Sequence, residues 1–438
     1  MNPIFHLASY PFFFLPLPSM NAFQYRLKQF KHFGPEAQRL LKANFMFGLL
    51  MPFYIIFSNT FIFGNTDGNL YFNFAYSALH FVGNPVGFIL CGYLLRRFHI
   101  RQLFAAGLLL ILANMAVMVS TPKQYFTYTA VLIFGLLNGM GSGLYWSVRN
   151  YLTVISTHDD NRNFFTGLDQ MFFVIGGIAT PFVVGNYIGW GTALGWFSRE
   201  FAYGSAIFFA SVLAFLAVRL VWQGNYPTVK VPRFLFYRYL PEWRKARLFV
   251  FVMGFFHAAF IATPAVLVMM FVGNESAVGF TDSISQTCAM LMTLWISSKA
   301  KPHHRTKVML AGTGIFTTGA LVFTGLLAWQ PAIATVLMVA AFYFTDPTIN
   351  FPYRASFMKV LDQVKAVEKR DAFTYGVDIE QFNAAGRLCS IILLVILLEV
   401  LPASWAFPAY FISVAAIQFI NVLLSKRINT LPQAHQPT

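Results

Sequence analysis

The chain has 438 residues, of which 57% are hydrophobic and only 11% charged, against roughly 25% charged in an ordinary soluble domain. That composition excludes a soluble globular protein. The net charge of +15 does not indicate nucleic acid either, because the basic residues sit in short pieces between long apolar runs.

The first twenty residues, MNPIFHLASYPFFFLPLPSM, lack a basic start and a small-residue cleavage site. Pro11, Pro16 and Pro18 also interrupt the run, so it reads as a loose or interfacial segment rather than a signal peptide. Met20 is a second candidate start. FQYRLKQFKHF (23–33) mixes basic and aromatic residues, as a helix lying on a membrane surface does. Residues 1–43 are therefore expected to form a cytoplasmic N-terminal extension that touches membrane lipid.

Twelve apolar spans follow. Six are expected near 44–63, 70–95, 103–119, 125–148, 166–188 and 202–222. Six more are expected near 247–271, 276–298, 308–328, 331–353, 377–399 and 402–424. Runs such as LFAAGLLLILANMAVMV (103–119) have no polar face, and none shows the ten-residue alternation of a membrane β-barrel. The expected fold is all-α and integral to the membrane, with twelve transmembrane helices in two pseudo-symmetric bundles. The bundles are 44–222 and 247–424, joined by a basic linker at 223–246 and followed by a tail at 425–438. Of the 31 Lys and Arg, 27 fall on the side of the termini, Arg219 and Arg387 lie within spans, and only Lys123 and Arg199 lie opposite. That asymmetry predicts both termini on the cytoplasmic side of the cytoplasmic membrane.

One phrase occurs twice. NRNFFTGLD (161–169) and KRDAFTYGVD (369–378) both run Arg, two residues, Phe-Thr, Gly, one residue, Asp; the second has one extra residue before the Gly. The first opens span 5 and the second span 11, so the chain is two six-span halves in the same order, a parallel repeat with a site expected between the halves near mid-membrane. Arg149 ends span 4 and Asp169 begins span 5; Arg354 and Asp378 occupy the equivalent places at spans 10 and 11. A carboxylate in a first turn meets the positive end of the helix dipole and can bind a nearby Arg. These four are candidates for a cytoplasmic gate, or else fixed anchors at the membrane boundary.

Ionisable groups inside spans are costly and point to function. Arg387 and Glu380 lie two turns apart in span 11, Asp346 in span 10, Asp282 in span 8, His257 in span 7 and His80 in span 2. All six are candidates for substrate binding or coupling, the acids alternatively for static ion pairs and the histidines for polar packing. Asn73, Asn84, Asn138, Gln170, Gln286 and Asn383 could line a polar path or merely join helices. Met253, one turn from His257, is too little for a metal site, and Cys91, Cys288 and Cys389 lie in apolar stretches without CxxC spacing. STHDDNR (156–162) reads as a solvated loop, and there is no Gly-Lys-Ser/Thr loop to cradle ATP. No metal, cofactor or enzymatic centre is expected.

The repeat, with two further motifs, resembles the major facilitator superfamily over about 44–424. GYLLRRFHIRQL (92–103) is similar to that family's Gly-x-x-x-Asp-Arg-x-Gly-Arg-Arg loop: Gly92, Arg97 and Arg101 fit, while Arg96 stands for the Asp and His99 for the second Gly. GGIATPFVVG (176–185) is similar to the Gly-rich helix-kink motif of antiporter-type exporters, with Gly176, Gly177, Pro181 and Gly185 in place and Thr180 where Gly or Ser is usual. The resemblance implies a monomeric secondary transporter that works by alternating access. Its expected cargo is a small organic, anionic solute, with protons as the coupling ion. A lipid or lysolipid flippase of the same fold is the alternative, and a non-transporting sensor or enzyme the alternative of another class.

Overall fold

Twelve long helices make up the computed structural model, whose described residues are 33–157, 159–226, 233–299 and 304–429. The surface segment before Phe33, His158, Lys230 of the linker, Lys301 and the tail beyond Asn429 lie outside them. So do the side chains of 159–164, including Arg162. The first six helices are α1 Pro35–Asn65, α2 Leu70–Leu94, α3 Ile100–Ser120, α4 Tyr128–Ser156, α5 Asp159–Ala193 and α6 Arg199–Trp222. The second six are α7 Pro241–Phe271, α8 Glu275–Lys299, α9 Arg305–Leu326, α10 Pro331–Glu368, α11 Ala372–Val400 and α12 Ala403–Asn429. No strand occurs among the described residues. Eleven of the helices are long and apolar enough to cross a bilayer, and this is an integral membrane protein. The twelfth, α8, carries Ser276, Thr281, Asp282, Ser283 and Ser285, all buried against α5 and α10.

The two halves repeat one set of neighbours. In the first, α1 packs on α5 and α6, α2 on α4, and α3 on α4 and α6. In the second, α7 packs on α11 and α12, α8 on α10, and α9 on α10 and α12. Two apolar cores follow the halves, one with Phe47, Phe104 and Tyr145, the other with Trp243, Phe256 and Phe342. Each takes in residues across the seam, Phe373 and Val377 of α11 in the first and Phe74 and Phe81 of α2 in the second. Outward faces carry Phe208, Phe215, Leu321 and Leu423, all exposed, as surfaces solvated by lipid tails do.

Glycines let equivalent helices close on each other. A Cβ on Gly176 of α5 would run into the Gly48 carbonyl of α1, and one on Gly386 of α11 into the Phe251 carbonyl of α7. The halves meet along α2 with α11, along α5 with α8, and where the last turns of α1 and α7 touch. Both of those leading helices are interrupted. Pro52, which lacks an N–H and crowds the carbonyl four residues back, precedes a π-helical turn at Phe53–Phe57 in α1. Pro264 likewise restarts α7 after a break at Thr263.

Several helices overrun the expected spans. α1 begins at Pro35, α7 at Pro241 and α5 at Asp159, so part of STHDDNR is helix rather than loop. α10 continues to Glu368, through Arg354, Lys359 and Lys365. Apolar runs mark only the part of a helix in hydrocarbon, and the charged turns beyond it stay helical. At α1 and α7 the first turn is set by a proline, whose fixed φ suits that position.

Candidate functional site

The seam between the halves holds a polar cluster half way along α11. Arg387 Nη1 lies 3.2 Å from Glu380 Oε1, one side of an ion pair whose members are 13% and 14% exposed. Two turns of helix put both on one face of α11, which turns toward α2 of the other half. From there Asn84 Nδ2 donates to the same Glu380 oxygen at 3.1 Å, and the Arg387 guanidinium lies 5.5 Å from the Phe81 ring. Arg387 Nε and Asn84 Oδ1 are buried without a hydrogen-bond partner.

From Glu380 a hydrogen-bonded line runs into the second half. Asn383 Nδ2 donates to Glu380 Oε2 at 3.3 Å, and Asn383 Oδ1 faces His257 Nδ1 at 3.3 Å. His257 Nε2 faces Asn350 Oδ1 at 3.1 Å, and Asn350 Nδ2 donates to Asp346 Oδ1 at 2.5 Å. Four candidates scattered over 130 residues of sequence thus fall in one network: Arg387, Glu380, His257 and Asp346.

The other two stand apart. His80 sits on α2 among the Tyr54, Tyr76 and Phe81 rings, lining a small cavity with Asn59 and Ile261, its Nδ1 buried and unpartnered. Asp282 is buried on α8 beside Tyr343 of α10.

The repeated phrase builds ion pairs on the face of the bundle where the described chain has its two termini, at Phe33 and Asn429. Asp169 pairs with Arg149 and also accepts from Asn44 Nδ2 of α1 at 2.6 Å. Asp378 does not pair with Arg354. It takes Arg247 of α7, at 2.8 Å from Nε and 2.5 Å from Nη2, and Trp243 Nε1 at 2.7 Å. Arg354 is exposed. Arg247 lies within α7, one turn after Trp243, and the two side chains reach the same carboxylate from one face of that helix. Both sets are internal to one half.

The opposite face carries an ion pair that, among the described residues, joins the halves. Arg199 at the start of α6 meets Glu275 at the start of α8, Nη2 to Oε1 at 2.7 Å, and donates to the Thr60 carbonyl at 2.9 Å. Tyr203 donates to Glu275 at 3.2 Å and lies 2.6 Å from Thr60 Oγ1. Sequence reading took Arg199 only as a loop charge, left Glu275 outside a span, and passed over Asn44, Trp243, Arg247 and Asn350. Asn350 alone had a signal, one helical turn after Asp346.

The two motifs serve packing. Gly177 faces Gln286 and Gly185 faces Gly279, both on α8, while Gly176 faces α1. Pro181 lies within the unbroken helix Asp159–Ala193. In the α2–α3 turn His99, standing for the usual Gly, caps α3 in a capping box with Gln102. Arg101 donates to the Trp222 and Gly224 carbonyls at the end of α6.

Twelve helices in two like halves, with charged groups between them, define a polytopic membrane protein. A nucleoside transporter, NupG, shares that fold at a TM-score of 0.62 and 15% identity over 91% of this chain and all of its own. A bacterial homologue of the iron transporter ferroportin, in an inward-facing state, gives 0.66 and 10% over 90% and 99%. A POT family transporter in complex with 5-aminolevulinic acid gives 0.66 and 12% over 90% and 96%. In sequence the chain is 25% identical over 280 residues to the uncharacterized protein YqgE of Bacillus subtilis, spanning 64% of each, just under two thirds of that relative's length. No family model matches.

Proposed function

We propose that this protein is a secondary active transporter that carries a small organic anion across the cytoplasmic membrane by alternating access, driven by protons. The halves 44–222 and 247–424 rock about the seam, the linker 223–246 joins them, and the protein works as a monomer with both termini cytoplasmic. The observation that carries the reading is Arg387. A guanidinium stays charged at any accessible pH, and inside a bilayer it needs an anion. Here Glu380 supplies one contact and leaves Nε free at the meeting of the halves, where a substrate carboxylate or phosphate can take a bidentate grip. Asp169 and Asp378 are read as braces that keep each half rigid. The like fold of the nucleoside, iron and POT family transporters supports transport and leaves the cargo open.

The test is uptake of radiolabelled organic anions into proteoliposomes, with and without an inward pH gradient. Gradient-driven uptake by the wild type and none by Arg387→Ala is expected. Equal uptake by both would contradict the reading. So would a wild type that carries only lipid, which would favour the flippase.

A further inference from the structure

Between Asp346 and Glu380 the two bridging amides are oriented alike. Asn350 and Asn383 each give their NH2 to a carboxylate and their oxygen to a ring nitrogen of His257. An ionised carboxylate only accepts, so each pins its amide with the nitrogen toward itself. The ring then faces an amide oxygen at both nitrogens, and a neutral imidazole can donate through only one. The other contact would set a lone pair against an oxygen lone pair in a buried site, where an unmade hydrogen bond is expensive. Only the imidazolium satisfies both. Its charge also balances the set, two acids against His257 and Arg387.

We infer that His257 is the group that holds the coupling proton, read through Asn350 and Asn383 by Asp346 and Glu380. This rests on the transport reading only for the word coupling; the proton site itself does not. The proton comes to a ring nitrogen from water and returns to water when the seam is wetted, and the amides pass on orientation rather than protons. When the proton leaves, one amide must turn over. If Asn383 turns, its oxygen meets Glu380, which loses a donor and closes on Arg387. The anion then loses its cation, so proton and anion bind and leave together.

The groups facing the ring are few. On α10 they are Asp346, Tyr353, whose ring lies 6.2 Å away, and the more distant charge of Arg354. On α11 it is the charge of Arg387, with Glu380 one amide further away behind Asn383; on α12 the neutral amides Gln418 and Asn421 lie against Val252 and Met253 of α7, a turn before the ring.

The test needs no substrate. The full chain, labelled with 15N-histidine and held in lipid, is titrated by NMR, and the His257 signals are assigned by their loss in His257→Gln. The wild type is expected to show both His257 nitrogens protonated at neutral pH. Asp346→Asn, Glu380→Gln, Asn350→Leu and Asn383→Leu should each lower its proton affinity by about tenfold, one pH unit. The Leu variants keep both acids, so they separate amide bridging from bulk charge, and a melting curve confirms that each is folded. A ring singly protonated down to pH 5, or a midpoint unmoved in every folded variant, overturns the inference. If that titration behaves as stated while no anion is taken up, the transport reading falls and the proton site stands. If uptake is found and the titration fails, the proton is carried elsewhere.

Discussion

The two faces of the bundle hold their charges differently. On the face of the termini, Arg149–Asp169 and Arg247–Asp378 each tie helices of one half, with Asn44 and Trp243 as further donors. On the opposite face, Arg199–Glu275 ties one half to the other. If the halves rock as proposed, a pair inside one half does not resist the motion, whereas a pair across the seam must break for that face to open. The repeated phrase therefore describes how each half is built. Under that proposal the clasp is Arg199–Glu275, two residues outside the repeat.

That contrast can be broken at several points, and the largest effect is expected at the seam itself. Arg387→Ala should abolish uptake. Pairing it with Glu380→Gln should recover thermal stability, because a buried acid is no longer left without its cation, and should recover no uptake. Recovery of uptake by the double variant would make Arg387 structural.

Next in size is the clasp. Glu275→Gln leaves Arg199, 26% exposed on its side chain, without its anion. Removing one member of a fully buried pair costs about 3–5 kcal/mol, and partial exposure brings this to about 1–3 kcal/mol. A thiol placed at Thr60 should then react faster with a water-soluble maleimide than the same thiol with Glu275 intact. Equal rates would mean that packing of α1 on α7, not the ion pair, shuts that face.

The braces should behave in the opposite sense. Asp169→Asn and Asp378→Asn are each expected to lower the melting temperature and to leave the separation of the halves unchanged. The loss should be about 3–5 kcal/mol at Asp169, whose pair is 12% and 3% exposed, and about 1–3 kcal/mol at Asp378, whose pair is more open. Separation of the halves at the face of the termini in either variant would restore a gate role to these pairs.

The smallest perturbation addresses orientation. Single cysteines at exposed Lys365 and exposed Lys123 lie on opposite faces. An impermeant thiol reagent added to whole cells should label Lys123→Cys and spare Lys365→Cys. The reverse pattern would invert the topology.

Much of this arrangement was legible in the sequence. Hydropathy marks where hydrocarbon must be, so the twelve helices and their order follow from it; even polar α8 was placed, because its neighbours fixed the alternation. Helix ends were not legible, because the charged turns at Pro35, Pro241 and Glu368 lie beyond the lipid and carry no apolar signal. Arg354 was read as the partner of Asp378 by analogy with Arg149 of the first half, and Arg247, at the edge of the expected span 7, was passed over. Spacing within one helix was readable, as Glu380 with Arg387 shows. Contacts between helices were not: nothing local to Asn350 says that it faces a histidine 93 residues away. Arg199 and Glu275 each look like ordinary helix-start charges until the halves are docked.

Alternating access as proposed requires rigid halves that open one face as they close the other. Spin labels at Tyr125 and Trp329, both exposed on the face opposite the termini, and at exposed Arg97 and Lys365 on the face of the termini, measure the two openings separately. In lipid, Glu275→Gln should lengthen the Tyr125–Trp329 distance and shorten the Arg97–Lys365 distance together. Lengthening of the first with the second unmoved, or no change in either, would contradict it.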